Sequence, residues 1–138
     1  MLYELIYRST AKSNLTEEDF KQILKTARGF NKSNNITGCL LYHEGQFLQL
    51  LEGEFRVLLD LYDRIKRDPR HRDFLLLHMK ESQHRVYKEW TMAFKTLNNN
   101  ELQSYSGVSE FTELETENDE SSISKELFQA ISQDIVSH

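Results

Sequence analysis

Two runs of strand-forming residues, Ile36 to His43 and Gln46 to Glu52, are separated only by Glu44-Gly45. A two-residue connection containing glycine marks a tight hairpin, so these runs pair antiparallel in one sheet. Gly53 closes the second run. The other apolar segments must extend that hairpin or cover it.

Upstream, Leu2 to Arg8 has strand propensity, with Tyr3, Leu5 and Tyr7 on one face. Thr16-Glu17-Glu18-Asp19 then reads as a capped helix start. Phe20, Ile23, Leu24, Ala27 and Phe30 follow at helical spacing, Asn31 extends their stripe, and the polar stretch 31–35 ends the helix. Downstream, Glu54 to Asp68 reads as a second helix stopped by Pro69. Phe74 to Met79 is a continuous apolar run, suiting a strand covered on both faces. Trp90 to Leu97 predicts a last strand, with Trp90, Met92 and Phe94 sharing a face. The order is βαββαββ, an α+β ferredoxin-like plan with one added strand and both helices on one face of the sheet.

Beyond Asn98-Asn99-Asn100 the pattern changes. Glu101 to Gly107 suits a short helix, and Glu110 to Glu120 reads as an acidic, exposed linker. Ser122 to Val136 recovers helical spacing through Ile123, Leu127, Ile131 and Ile135. That stripe needs cover, and the open sheet face opposite the first two helices is the nearest candidate.

With 138 residues, 38% hydrophobic, the chain suits one compact domain with a C-terminal extension. No apolar run approaches the ~20 residues of a membrane span. The N-terminus lacks a basic segment leading into a long apolar stretch, and the single cysteine, Cys39, cannot form an internal disulfide, so a cytoplasmic location is expected. A net charge of -5 argues against direct nucleic-acid binding. The five histidines show no zinc-site spacing, and no metal is expected. Phosphate-loop and nucleophile-elbow motifs are absent.

Two polar residues stand in otherwise apolar strands. Tyr7 ends the first, and Gln49 interrupts Phe47-Leu48-Gln49-Leu50-Leu51. Buried without partners, each would cost about 1–3 kcal/mol. They can bond to each other, to the backbone, or to a polar ligand between them. In a ferredoxin-like sheet the first and third strands commonly lie side by side, which makes these two neighbours. The flanking helices then bring Asn31 from one side and Arg64 and Asp68 from the other. Taken alone, Arg64 and Asp68 read as an ordinary (i, i+4) surface pair. Together with Ile23, Phe47 and Ile65, these groups outline an apolar cleft suited to a planar ligand. Arg70 and His71 could meet phosphates.

At these residues the chain closely resembles the BLUF family, blue-light sensors that use FAD. The resemblance runs over about residues 1–97, on separated pieces. These are Tyr7-Arg8-Ser9; Ala27-Arg28 through Asn31 to Ile36-Thr37-Gly38; Gly45 to Gly53; Asp68-Pro69-Arg70-His71; and Trp90-Thr91-Met92-Ala93-Phe94. It implies a short sensor, with residues 1–97 holding FAD non-covalently and residues 98–138 a helical extension. By position, Asn31 would bond the flavin's C4 carbonyl and N3 edge and Arg64 would face its C2 carbonyl side. Asp68, Arg70 and His71 would lie toward the ribityl and phosphate groups, with Ile23, Phe47 and Ile65 on or near the ring. Tyr7 would give an electron and a proton to the excited flavin. Gln49 would relay the proton and rebond, leaving a red-shifted, oxidised flavin that recovers in the dark. Trp90 and Met92 match the family's signal-bearing last strand.

The expected function is therefore a non-enzymatic photoreceptor that regulates a downstream protein, with self-association possible. Two alternatives remain: a small phosphate-handling enzyme on the same sheet, and a flavin-bound adaptor indifferent to light. Fold alone does not separate them.

Overall fold

The computed structural model describes residues 1–114 and 123–136. Strands β1 (Leu2–Ala11), β2 (Thr37–His43), β3 (Gln46–Glu54), β4 (His71–Glu81) and β5 (Ala93–Thr96) form one sheet in the order β4-β1-β3-β2-β5. Only β2 and β5 run parallel; the other neighbours are antiparallel. Helices α1 (Glu17–Ser33) and α2 (Phe55–Lys66) connect the strands in the βαββαββ order. After β5 come α3 (Asn99–Ser106), a 3-10 turn at Phe111–Leu114, and α4 (Ile123–Val136).

Alternation along the strands builds two apolar layers. Leu5, Tyr7, Leu40, Phe47 and Leu51 pack with the helices α1 and α2. Ile6, Cys39, Leu41, Leu48 and Leu50 pack on the other side with Leu127, Phe128 and Ile131 of α4. The C-terminal helices thus cover the face that the first two helices leave open.

Local chemistry sets the element ends. Thr16 Oγ1 accepts from Asp19 N at 3.1 Å, and the Asp19 carboxylate accepts from Thr16 N at 2.9 Å, a reciprocal cap that starts α1. Glu44 and Gly45 both have positive φ, 44° and 77°, as a tight hairpin turn with the strands' twist requires. At Gly38 a Cβ would meet the Leu50 carbonyl oxygen at 2.1 Å, so β2 approaches β3 this closely only with glycine there.

Four expectations need correction. Helix α2 ends at Lys66, short of Asp68, because a residue preceding proline disfavours helical geometry and Asp68 precedes Pro69. Strand β4 is an edge strand, with Leu75 and Leu76 40% and 45% exposed, so its apolar run is not covered on both faces. The last strand starts at Ala93; Trp90 precedes it, and period-two alternation does not reach back to it. Phe111 and Leu114 are buried in the α4 layer, so the acidic stretch begins as packed structure. The remainder of that stretch, 115–120, and the helix start expected at Ser122 lie outside the described residues.

Candidate functional site

Tyr7 in β1 and Gln49 in β3 are directly opposite in the antiparallel register and project toward α1 and α2. The Tyr7 hydroxyl donates to Gln49 Oε1. Gln49 Nε2 in turn points to Met92 Sδ at 3.4 Å. Of the partners open to this phenol and amide, the structure gives each the other. The Tyr7 ring packs against Tyr62 and Phe74, with centroids at 5.2 and 5.7 Å. Burial raises its pKa well above the ordinary tyrosine value, so the phenol holds its proton.

Above this pair, between the two helices, lies a cleft of about 230 Å³. Helix α1 contributes Ile23 and Asn31, and β3 contributes Phe47 beside Gln49. Arg64 and Ile65 enter from α2, while Asp68, Arg70 and His71 line the cleft from the connection into β4. The lining is mostly apolar, with polar groups at a few points, as in sites for flat ligands.

Asn31 is 1% exposed. Its Nδ2 donates to the Thr91 carbonyl at 2.6 Å, whereas its Oδ1 has no partner among the described residues. A buried acceptor left unpaired is costly, and this one belongs to a residue that lines the cleft. A ligand with a ring N–H would satisfy it. Asn31 lies in the last turn of α1, which ends at Ser33 within the polar stretch 31–35.

The charged groups are arranged differently from an (i, i+4) pair. Arg64 stacks over the Phe30 ring, 4.6 Å from its centroid. Asp68, released from the helix, takes Arg70 as a fork: Arg70 Nε donates to its two carboxylate oxygens at 2.9 and 3.0 Å, and Nη2 adds a bond at 2.5 Å. Burial pushes the Asp68 carboxyl up, but these bonds and the Arg70 charge bring it net below the ordinary aspartate value. His71 Nδ1 lies 3.0 Å from Ser9 Oγ, and burial pushes the imidazole down to about 4, so it is neutral near pH 7.

Met92 and Trp90 do not share an environment. Met92 is 1% exposed and meets Gln49, while Trp90 is 36% exposed and its carbonyl accepts from Gly38 N. Thr26, Phe30, Leu40 and Leu61 also line the cleft and were not foreseen as site residues. For Thr26 and Phe30 the signal was present, since they lie on the same helical rows as Ile23 and Asn31. Arg28, whose Nε donates to the Met92 carbonyl at 3.1 Å, had no such local signal.

Residues 2–93 match the family described as "BLUF: Sensors of blue-light using FAD". The photoactivated adenylate cyclase subunit beta of Euglena gracilis is 42% identical over 96 residues, which are 69% of this chain and 11% of that protein. The alpha subunit from the same organism is 40% identical over 86 residues, 62% of this chain and 8% of that protein. This chain therefore spans about a tenth of the length of these curated relatives. Among solved structures, the dark state of the BLUF protein BlrB superposes with a TM-score of 0.80 at 28% identity, covering 96% of both chains. A bacterial light-regulated adenylyl cyclase superposes with a TM-score of 0.67 at 30% identity, covering 99% of this chain and 34% of that one. Among the described residues no helix is long and apolar enough to cross a membrane, and no cluster of residues could hold a metal ion.

Proposed function

This chain belongs to the BLUF family of blue-light sensors using FAD, and on that premise we propose that it is a photoreceptor in which Tyr7 and Gln49 are the light-driven switch. The observation that carries the reading is the buried Tyr7–Gln49 hydrogen bond flooring the cleft that Asn31 lines with an unpaired acceptor. A flavin fits this donor set, because its imide edge presents an N–H beside carbonyls. Bound there, the cofactor supplies blue-light absorption and, once excited, the oxidising power to draw on a nearby phenol.

The chain's residues do the rest. Asn31 Oδ1 holds the ring edge. Ile23, Phe47 and Ile65 bury it and exclude water, and Arg64 stays close through its stack on Phe30. Asp68, Arg70 and His71, which line the cleft, would hold the side-chain end of the cofactor. Tyr7 keeps its proton at Oη in the dark and passes it to Gln49. Gln49 can bond in two ways, through Oε1 to Tyr7 and through Nε2 to Met92, so proton passage can leave it with a changed set of partners. Binding is non-covalent with respect to cysteine: Cys39 packs in the layer opposite the cleft, and burial raises its thiol to about 12.

Residues 1–97 form the sensor and 98–138 the extension through which it acts. The output passes to a downstream protein or a second copy by contact, without turnover of a substrate. A phosphate-handling enzyme suits the site less well. Asn31 offers an unpaired acceptor where a phosphate needs donors, and the cleft is lined mostly by apolar groups. The test is an absorption spectrum of the flavin-loaded chain before and after blue light. The expected outcome is a reversible red shift of the oxidised flavin band; a spectrum unchanged by light would leave a light-independent adaptor.

A further inference from the structure

On the sheet face away from the cleft, the described residues hold two buried polar clusters. One joins Glu4, His78 and Lys125. The other surrounds Glu52 of β3, which is 1% exposed, and it holds the segment that ends at Met92. The Glu52 carboxylate accepts from Thr37 Oγ1 at 2.9 Å, from Val86 N at 2.5 Å and from Tyr87 N at 3.0 Å. Arg85 fastens the same point, donating from Nη1 to Thr37 Oγ1 at 2.9 Å and to the Glu52 carbonyl at 3.0 Å.

From this anchor the chain crosses back to the cleft within a few residues. Trp90 N donates to the Tyr87 carbonyl at 2.9 Å, closing a turn. The carbonyls of Trp90, Thr91 and Met92 then accept in sequence from Gly38 N, Asn31 Nδ2 and Arg28 Nε. The short segment 86–92 therefore has a carboxylate clasp at one end and Gln49 at the other. Tyr87, at the clasp, is fully buried, and its hydroxyl donates to the Phe128 carbonyl in α4 at 2.7 Å. Its ring also meets the Phe128 ring edge-on at 6.4 Å.

We propose that Tyr87 is the contact through which the state of the Gln49–Met92 pair reaches α4, and that Glu52 is the positioning residue about which the segment pivots; this rests on the photoreceptor reading above. A change in what Gln49 Nε2 bonds removes or restores its contact with Met92 Sδ. The segment is anchored along its length, so a displacement at Met92 is passed on rather than absorbed. Tyr87 cannot turn its hydroxyl to water, so its bond to α4 moves with it or breaks. The bond gives α4 a differential contact with the two states of the pair, as energetic coupling requires. The Glu4–Lys125 link is a poorer route, because Glu4 and its partners His78 and Lys125 lie outside the segment 86–92 that runs to Met92.

The experiment is hydrogen exchange of the α4 amides in the full flavin-loaded chain, dark and under blue light, with the spectrum recorded on the same sample. The wild type should show the red shift and a change of about fivefold or more in α4 exchange, the lower end of ordinary allosteric coupling. Tyr87→Phe should keep the red shift and lose most of the α4 difference, whereas Lys125→Met should keep both. A Tyr87→Phe protein with the full difference, or a wild type that shifts its spectrum with α4 unaffected, overturns the proposal and leaves the photoreceptor reading standing. A wild type without a red shift removes both. If Tyr87→Phe does not fold, Glu52→Gln carries the test: loss of the α4 difference with the red shift retained supports the proposal, and its persistence overturns it.

Discussion

Asn31 donates to the Thr91 carbonyl at 2.6 Å, so the amide that brings an unpaired acceptor to the cleft also holds the residue next to Met92. One side chain from α1 thereby joins the ligand edge of the site to the segment that runs to the α4 layer. Its two ends do separate work, and they can be tested separately.

Asn31→Ala should weaken flavin binding more than it weakens the fold. In the ligand-free chain the change removes one bond to Thr91 but also relieves an unpaired buried oxygen. With flavin bound it removes a made hydrogen bond, a loss of about 1–3 kcal/mol, or roughly 5- to 150-fold in affinity. Titration of the ligand-free protein with flavin measures this, and unchanged affinity would remove Asn31 from the site.

Gln49→Leu and Tyr7→Phe should both fold and take up flavin, and both should lack the normal red shift. Gln49→Leu leaves the Tyr7 hydroxyl without its acceptor, and Tyr7→Phe leaves Oε1 without its donor; either costs about 1–3 kcal/mol of stability. Chemical denaturation gives the stability and blue-light difference spectra the function. A full photocycle in either variant would refute the role given to that residue.

The facing of Tyr7 and Gln49 was legible because the period-two pattern of both strands points them to one side and a ferredoxin-like order makes the strands neighbours. The α4 stripe likewise announced a surface to cover. What escaped the sequence is non-local. The run Phe74 to Met79 looks the same whether it sits at the sheet's centre or, as here, at its edge. Asp68 lies four residues from Arg64, yet Pro69 ends the helix early and the carboxylate turns to Arg70. Trp90 is drawn out of strand alternation by a turn fixed at Glu52, 38 positions away in sequence. Phe111 and Leu114 were hidden by the acidic residues around them.

The Glu4 cluster should make stability depend on acid in a defined window. Burial pushes the Glu4 carboxyl up, but hydrogen bonds from His78 and Lys125 and the Lys125 charge outweigh it and bring the group from 4.5 to about 2. His78 Nε2 donates to it at 2.6 Å. A carboxylate with a depressed folded pKa stabilises fully above its unfolded value, and that contribution fades as pH falls from 4.5 through about 2. The contribution is about 3 kcal/mol. Glu4→Gln should be less stable than wild type at pH 7, and the gap should narrow below pH 4.5 and close as pH falls through about 2. Denaturant unfolding across this range checks it, and a gap independent of pH would count against the cluster.

Met92 and Trp90 should part company under mutation. Met92 is buried with its sulfur on Gln49 Nε2, so Met92→Leu removes an acceptor from the switch while nearly preserving volume. Its red shift should persist with an altered dark-recovery rate, because the competing state of Gln49 loses a partner in only one arrangement. Trp90 is 36% exposed, and its ordered bonds are made by its backbone. Trp90→Phe should therefore leave the recovery rate within about twofold of wild type, as substitutions at partly exposed positions away from buried contacts usually have small effects. Recovery traces after a blue-light pulse measure both. A large change for Trp90→Phe with none for Met92→Leu would mean that the tryptophan, not the methionine, occupies the pocket in the state that decays.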